Sequence, residues 1–126
     1  MASTRPAWDS WSMGFRIKRV YEDWAADDGE RVLVDRLWPR GLSRERARLD
    51  DWVKEVAPTP DLRTWFGHDA ERFDEFAVRY RAELDGNDAV EELRTRGSHG
   101  TVTLLYAAHD PRINHAVVLR DYLEGH

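Results

Sequence analysis

Cysteine is absent from this chain of 126 residues. Disulfides, thiolate zinc sites and cysteine nucleophiles are therefore excluded, and a reducing compartment fits. Long hydrophobic runs are absent as well; none approaches the ~20 residues that a membrane span needs. Residues 1–14 carry small residues and two tryptophans, with no apolar signal-peptide core. The expectation is a cytoplasmic protein with no membrane partner. Lysine is nearly missing, Lys18 and Lys54 being the only two, so arginine carries the positive charge. Arginine suits bidentate contacts to phosphate and carboxylate, although a GC-rich genome produces the same bias. The formal net charge of −5 argues against broad binding to nucleic acid. Phosphate-binding loops, Gly-x-Ser-x-Gly elbows and dinucleotide fingerprints are all lacking. Standard ATPase, serine hydrolase and Rossmann readings fail accordingly. No helix-turn-helix pattern is present, and no histidine pair has tight metal-ligand spacing.

What is present fits one domain. Residues 1–14 read as a flexible lead, and 15–126 as a single α/β domain. Residues 15–20 alternate apolar and basic, the period of a half-buried strand. Asp27-Asp28-Gly29 signals a turn. Val32-Leu33-Val34 reads as a strand buried on both faces. Ser43 is a good N-cap, and Leu49, Trp52, Val53 and Val56 at helical spacing predict one helix after it. Thr59 and Pro60 open a second helix, which ends at Gly67. Asp69 caps a third, closed by Asp85-Gly86. A fourth fills 88–96 and ends at Gly97. Residues 101–106 are a β-branched and apolar strand, and 113–124 a terminal helix. The tryptophans at 52 and 65 read as core, Tyr106 as a buried strand tyrosine. Trp8, Trp11 and Trp24 could form an exposed aromatic patch. The predicted fold is a small, mostly parallel sheet with a central helical insertion and a C-terminal helix.

The second and last strands are expected to be parallel neighbours. Asp35-Arg36 and His109-Asp110 then emerge at the same edge, where ligands bind in open α/β sheets. Asp35, Arg36 and Arg40 surround a Trp-Pro-Arg-Gly turn that carries more charge than a turn needs. Arg36 and Arg40 could clamp an anion. Asn114 and His115 open the terminal helix, whose N-terminus favours anions. His109, His68 and Lys18 are further candidate ligand contacts. Asp35 and His115 are the candidates for acid–base work. For each group a structural alternative stands: a locked turn for Asp35 and Arg36, a charged strand edge for Lys18, capping for Asn114. Alternation puts Lys18 and Arg19 on opposite faces, so at most one reaches the cleft.

Several landmarks resemble those of the YeaO-like family of bacterial domains of unknown function. They are Lys18-Arg19-Val20-Tyr21, the run from Val34 to Gly41, Leu62-Arg63, Trp65-Phe66-Gly67-His68, the run from Tyr80 to Leu84, the run from Thr103 to Ala108, and Asn114-His115-Ala116. The likeness extends from about Ile17 to Leu123. It implies no settled activity, and the cofactor is left open. His109 stands where the family usually has lysine, and a neutral imidazole would supply positive charge weakly there.

The leading expectation is a cleft for an anionic small molecule, phosphorylated or a nucleotide. An enzyme there would hydrolyse or transfer groups on a phosphate-bearing substrate. The alternative is a noncatalytic module that binds nucleic acid or a protein partner.

Overall fold

The computed structural model describes residues 14–125. The expected flexible lead, with Trp8 and Trp11, lies outside them except for Gly14. Four strands and five helices follow in the order β1 (Gly14–Arg19), β2 (Glu30–Leu33), α1 (Arg44–Ala47), β3 (Asp51–Trp52), α2 (Pro60–Phe66), α3 (Phe73–Leu84), α4 (Asp88–His99), β4 (Thr101–Tyr106) and α5 (His115–Leu123). Every pairing is parallel, in the spatial order β1-β4-β2-β3. The last strand in sequence thus lies inside the sheet, between the first two.

Strand alternation divides the residues between two faces. Phe15, Ile17, Val32, Val102, Leu104 and Tyr106 share one face and join the larger core with residues of α2 to α5. Lys18, Leu33 and Leu105 share the other, with Arg16, Arg31 and Thr103 one step along it. That face is covered by Val20, Leu42 and Ala47, with Trp38, Leu49 and Trp52 packed against them. Burial on both sides explains the uninterrupted apolar run at residues 32–34.

The predicted helix from Ser43 to Val56 does not form. Ser43 caps α1 as expected, accepting the Arg46 N–H at 3.1 Å. The helix then stops after one turn, because Arg48 adopts a left-handed φ of 49°. Arg31 holds that stop in place. Its guanidinium is fully buried and donates to the carbonyls of Ala47, at 2.8 and 3.2 Å, and Arg48, at 3.2 Å. Asp50 accepts the Arg31 N–H at 2.8 Å, and the chain continues into β3. Trp52 is therefore a strand residue beside Leu33, not part of a helical stripe.

Gly97 does not end α4 either. The helix runs on to His99, and Gly97 is buried inside it because the ring of Phe15 occupies the space a side chain would need. The third predicted helix begins with a short 3-10 turn at Ala70–Arg72 before α3. Thr59 and Asn114 act as the expected caps, accepting the N–H groups of Leu62 and Val117. Trp65 is half-buried, with Arg72 and Arg79 stacked on its ring.

Candidate functional site

The sheet delivers β2 and β4 side by side, so the chain segments after them meet at one edge. The peptide N–H of Ala107 donates to Asp35 Oδ2 at 3.0 Å, and the Val34 N–H donates to the Leu105 carbonyl at 3.1 Å. Trp52 Nε1 donates to the Asp35 carbonyl at 2.7 Å. The turn beyond Asp35 is fixed by two more bonds. Trp38 Nε1 donates to Leu42 O at 2.7 Å, and the Tyr21 hydroxyl donates to Arg40 O at 2.8 Å. Each bond satisfies a carbonyl that a tight turn would otherwise leave unpaired.

A cavity of about 570 Å³ opens at this edge. Asp35, Arg36, Arg40, His68, His109, Asn114 and His115 all line it. Seven of the eight residues singled out from the sequence are thereby brought together. Lys18 is the exception. Its ammonium reaches across the opposite face to Asp28, at 3.1 Å, and to the Asp23 carbonyl, at 2.8 Å. Arg19 does not line the cavity either; it donates to the carbonyls of Ala107 and Ala108.

The seven differ in what they can offer. His115 Nε2 lies 3.0 Å from Asp35 Oδ1 and 3.1 Å from the Val34 carbonyl oxygen. Both neighbours only accept, so Nε2 carries the proton and Nδ1 of a neutral ring is an acceptor. Alignment favours the carbonyl, which leaves Asp35 Oδ1 buried without a well-directed donor. Arg36 is partly committed: Nε and one Nη donate to the carbonyls of Pro58 and Ala57 at 3.3 and 3.1 Å. Asn114 is committed through both its oxygen and its nitrogen. Its oxygen caps α5, its nitrogen donates to Asp110 O at 2.8 Å, and the residue is buried. The structural alternative weighed for Asn114 therefore describes what its carboxamide does. His68 and His109 stand exposed at the rim, His68 with a left-handed φ of 58°. The guanidinium of Arg40 has no hydrogen-bond or ion-pair partner among the described residues.

Along its whole described length the chain matches the family described as the inactive DUF488-N3 subclade, over residues 14–126. The chain belongs to this DUF488-N3 family. It is 47% identical over 110 residues to the uncharacterized protein Rv3073c of Mycobacterium tuberculosis, which covers 87% of this chain and 93% of the relative. It is 39% identical over 114 residues to the uncharacterized protein YeaO of Escherichia coli, covering 90% of this chain and 99% of the relative. No solved structure matches it.

Three features of this DUF488-N3 site were not singled out as site features from the sequence. Arg63, on α2, lines the cavity, and its guanidinium has no partner among the described residues. Its spacing from Trp65 and Phe66 on a short helix carried no signal, since an exposed helical arginine is ordinary. Tyr21 lines the cavity beyond the end of β1. Tyr80 lies beneath it, its ring and that of His115 in a T-shaped arrangement at 6.2 Å between centroids. The Tyr80 hydroxyl donates to Val56 O. Burial, followed by the negative charge of Asp35, pushes the Tyr80 phenol well above its ordinary value of 10.0. Asp110, at the rim, is held below the ordinary carboxylate value by the N–H groups of Arg112 and Ile113, at 2.8 and 3.1 Å. Across the cavity lining, Arg36, Arg40, Arg63 and three histidines face only two carboxylates, Asp35 and Asp110.

Proposed function

We propose that this chain binds a small phosphate-bearing molecule in the cleft at the C-terminal edge of its sheet. The observation that carries this reading is the convergence of Arg36, Arg40 and Arg63 on one cavity. Two of these guanidiniums lack partners among the described residues, and an unpaired arginine fork matches the oxygens of a phosphate. Arg36 is held by two carbonyls and so offers Nη1 in a fixed direction, which lowers the ordering cost of binding.

The reading is of binding without turnover. Among the described residues no serine, threonine or cysteine lines the cavity, so none of them is placed there to form a covalent intermediate. Asp35 accepts the Ala107 N–H through Oδ2 and lies buried against the His115 ring through Oδ1, which suits a structural bolt better than a base. The family's description as inactive supports the same choice. One observation favours a second reading, hydrolysis by a water activated at His115. The ring is oriented through Nε2, and its Nδ1 has no partner among the described residues, as a general base requires.

Isothermal titration with inorganic phosphate and phosphate monoesters tests both. Binding that falls at least tenfold in Arg40→Ala and Arg63→Ala supports the anion cleft. No heat with any phosphate compound sinks it. Phosphorus NMR of the same mixtures decides turnover: release of inorganic phosphate at a rate that depends on His115 would replace the first reading by the second.

A further inference from the structure

The cleft is more apolar than a phosphate alone requires. Phe66 and Phe76 stack at 4.3 Å between centroids with a 19° interplanar angle, and both reach the cavity with Pro39 and Ile113. The carbonyls of Ala57 and Pro58, which would have made this wall polar, are occupied by Arg36. Leu37 completes the lining at the tip of the turn and is 60% exposed. Its exposure is held in place, because Asp35, Trp38 and Arg40 on either side are each bonded through their backbone or ring to fixed partners. Among the described residues the other large exposed apolar side chains, Trp24 and Val78, are not part of the cavity. Trp24 already has the Arg48 guanidinium over its ring at 4.1 Å.

Cavity size points the same way. A volume of about 570 Å³ falls in the range of sites that enclose an organic ligand, and inorganic phosphate would leave the apolar wall in contact with water. We infer that the ligand is an organic phosphate with a planar, apolar body, its ring against Leu37 and the Phe66 side of the cleft, its phosphate toward Arg40 and Arg63. This rests on the anion-binding reading above and adds the class of ligand to it. A sugar phosphate, whose hydroxyls need polar partners, fits the wall poorly, because burying unpaired hydroxyls is costly.

The experiment is a titration of the full chain with phenyl phosphate, ribose 5-phosphate and inorganic phosphate at one fixed ionic strength. Phenyl phosphate is expected to bind at least ~10-fold more tightly than the other two, since each ~1.4 kcal/mol of apolar contact is tenfold in affinity. Leu37→Ser, an exposed substitution that leaves the core intact, is expected to remove most of that preference while inorganic phosphate binds as before. Equal affinity for all three would overturn the inference and leave the anion cleft standing. No binding of any would remove the anion cleft, and the inference with it. A preference for phenyl phosphate that Leu37→Ser does not reduce would also overturn the placement of the ring.

Discussion

Asp35 and His115 meet across the edge of the sheet, Oδ1 to Nε2 at 3.0 Å, although β2 and α5 come from opposite ends of the chain. Because Asp35 Oδ2 also takes the Ala107 N–H, one carboxylate ties together the tips of β2 and β4 and the start of α5. Asp35→Asn keeps the shape but presents an amide N–H to a donor on one side or the other. The expected loss is about 1–3 kcal/mol, the usual cost of a buried unsatisfied group. Urea denaturation measures it. Unchanged stability would mean that the carboxylate is not a bolt, and would return Asp35 to the candidates for acid–base work.

The buried pair of Arg31 and Asp28 is expected to be the most sensitive ionic contact. Arg31 Nη1 lies 2.6 Å from Asp28 Oδ2 with both side chains buried. Asp28→Ala leaves a buried guanidinium without its counter-ion and should cost about 3–5 kcal/mol. The double variant Asp28→Ala/Arg31→Met should recover part of that loss in the same denaturation experiment.

The same carboxylate sets a dependence on acid. Burial raises the Asp28 pKa, but the Ala25 N–H, Arg31 and Lys18 together outweigh it, leaving it below 3.8. Asp51, bonded to Arg96 at 2.7 Å, is lowered as well. A folded pKa below the unfolded one gives stability that is present above the unfolded value and lost as pH falls through the folded one. Through these two groups unfolding midpoints should therefore not vary with pH near neutrality, where their contribution is fully present, and should fall below about pH 4. Asp28→Asn should be less stable than the wild type near neutrality and should converge on it in acid, with a shallower slope there.

Tyr80→Phe isolates a single buried hydroxyl. The ring stays, but Val56 O loses its donor, at an expected cost of about 1–3 kcal/mol. In an absorbance titration of the wild type, Tyr80 should remain un-ionised well above pH 10.0, because its pKa is raised well above that value. Tyrosinate signal near pH 10 that vanished in Tyr80→Phe would contradict the burial.

Gly29 permits a close approach at the turn before β2. Its φ is +66°, and a Cβ there would collide with the carbonyl of Thr101. Gly29→Ala should cost about 3 kcal/mol or more, combining overpacking with a left-handed backbone. Thermal unfolding checks it against Gly86→Ala, which has a φ of +77° but open space around it and should cost less.

Much of the scaffold was legible because its signals were local. The strand at residues 101–106 opens on the β-branched Thr101, Val102 and Thr103 and continues with Leu104, Leu105 and Tyr106, and Thr59, Pro60 and Asn114 announce helix starts by their own chemistry. The convergence of Asp35 with the tip of β4 followed from parallel pairing alone. The segment after Ser43 was not legible, since its helical spacing is real but Arg31, a residue thirteen places upstream of Arg44, holds the first turn's carbonyls. Charged residues at a strand start and in a turn gave no sign that Arg31 and Asp28 would be buried together. In the cleft, the strand-tip residues were found, whereas Arg63 and Tyr80 arrive from helices whose docking no short-range pattern encodes. Lys18 was misplaced because strand alternation gives a face but not the partner waiting on it.

The interior position of β4 bears on how this chain reaches its fold. Gly14 pairs with Thr101, and Glu30 with Val102, so neither β1 nor β2 can join the other until residues 101–106 have been made. Such long-range pairing slows folding and prolongs exposure of unpaired strand edges. On the ribosome β1 must wait unmatched, and β2 with only β3 beside it, for nearly the whole chain. Refolding should show the Asp35–Ala107 edge closing with the sheet as one event, and the cleft has no earlier existence of its own.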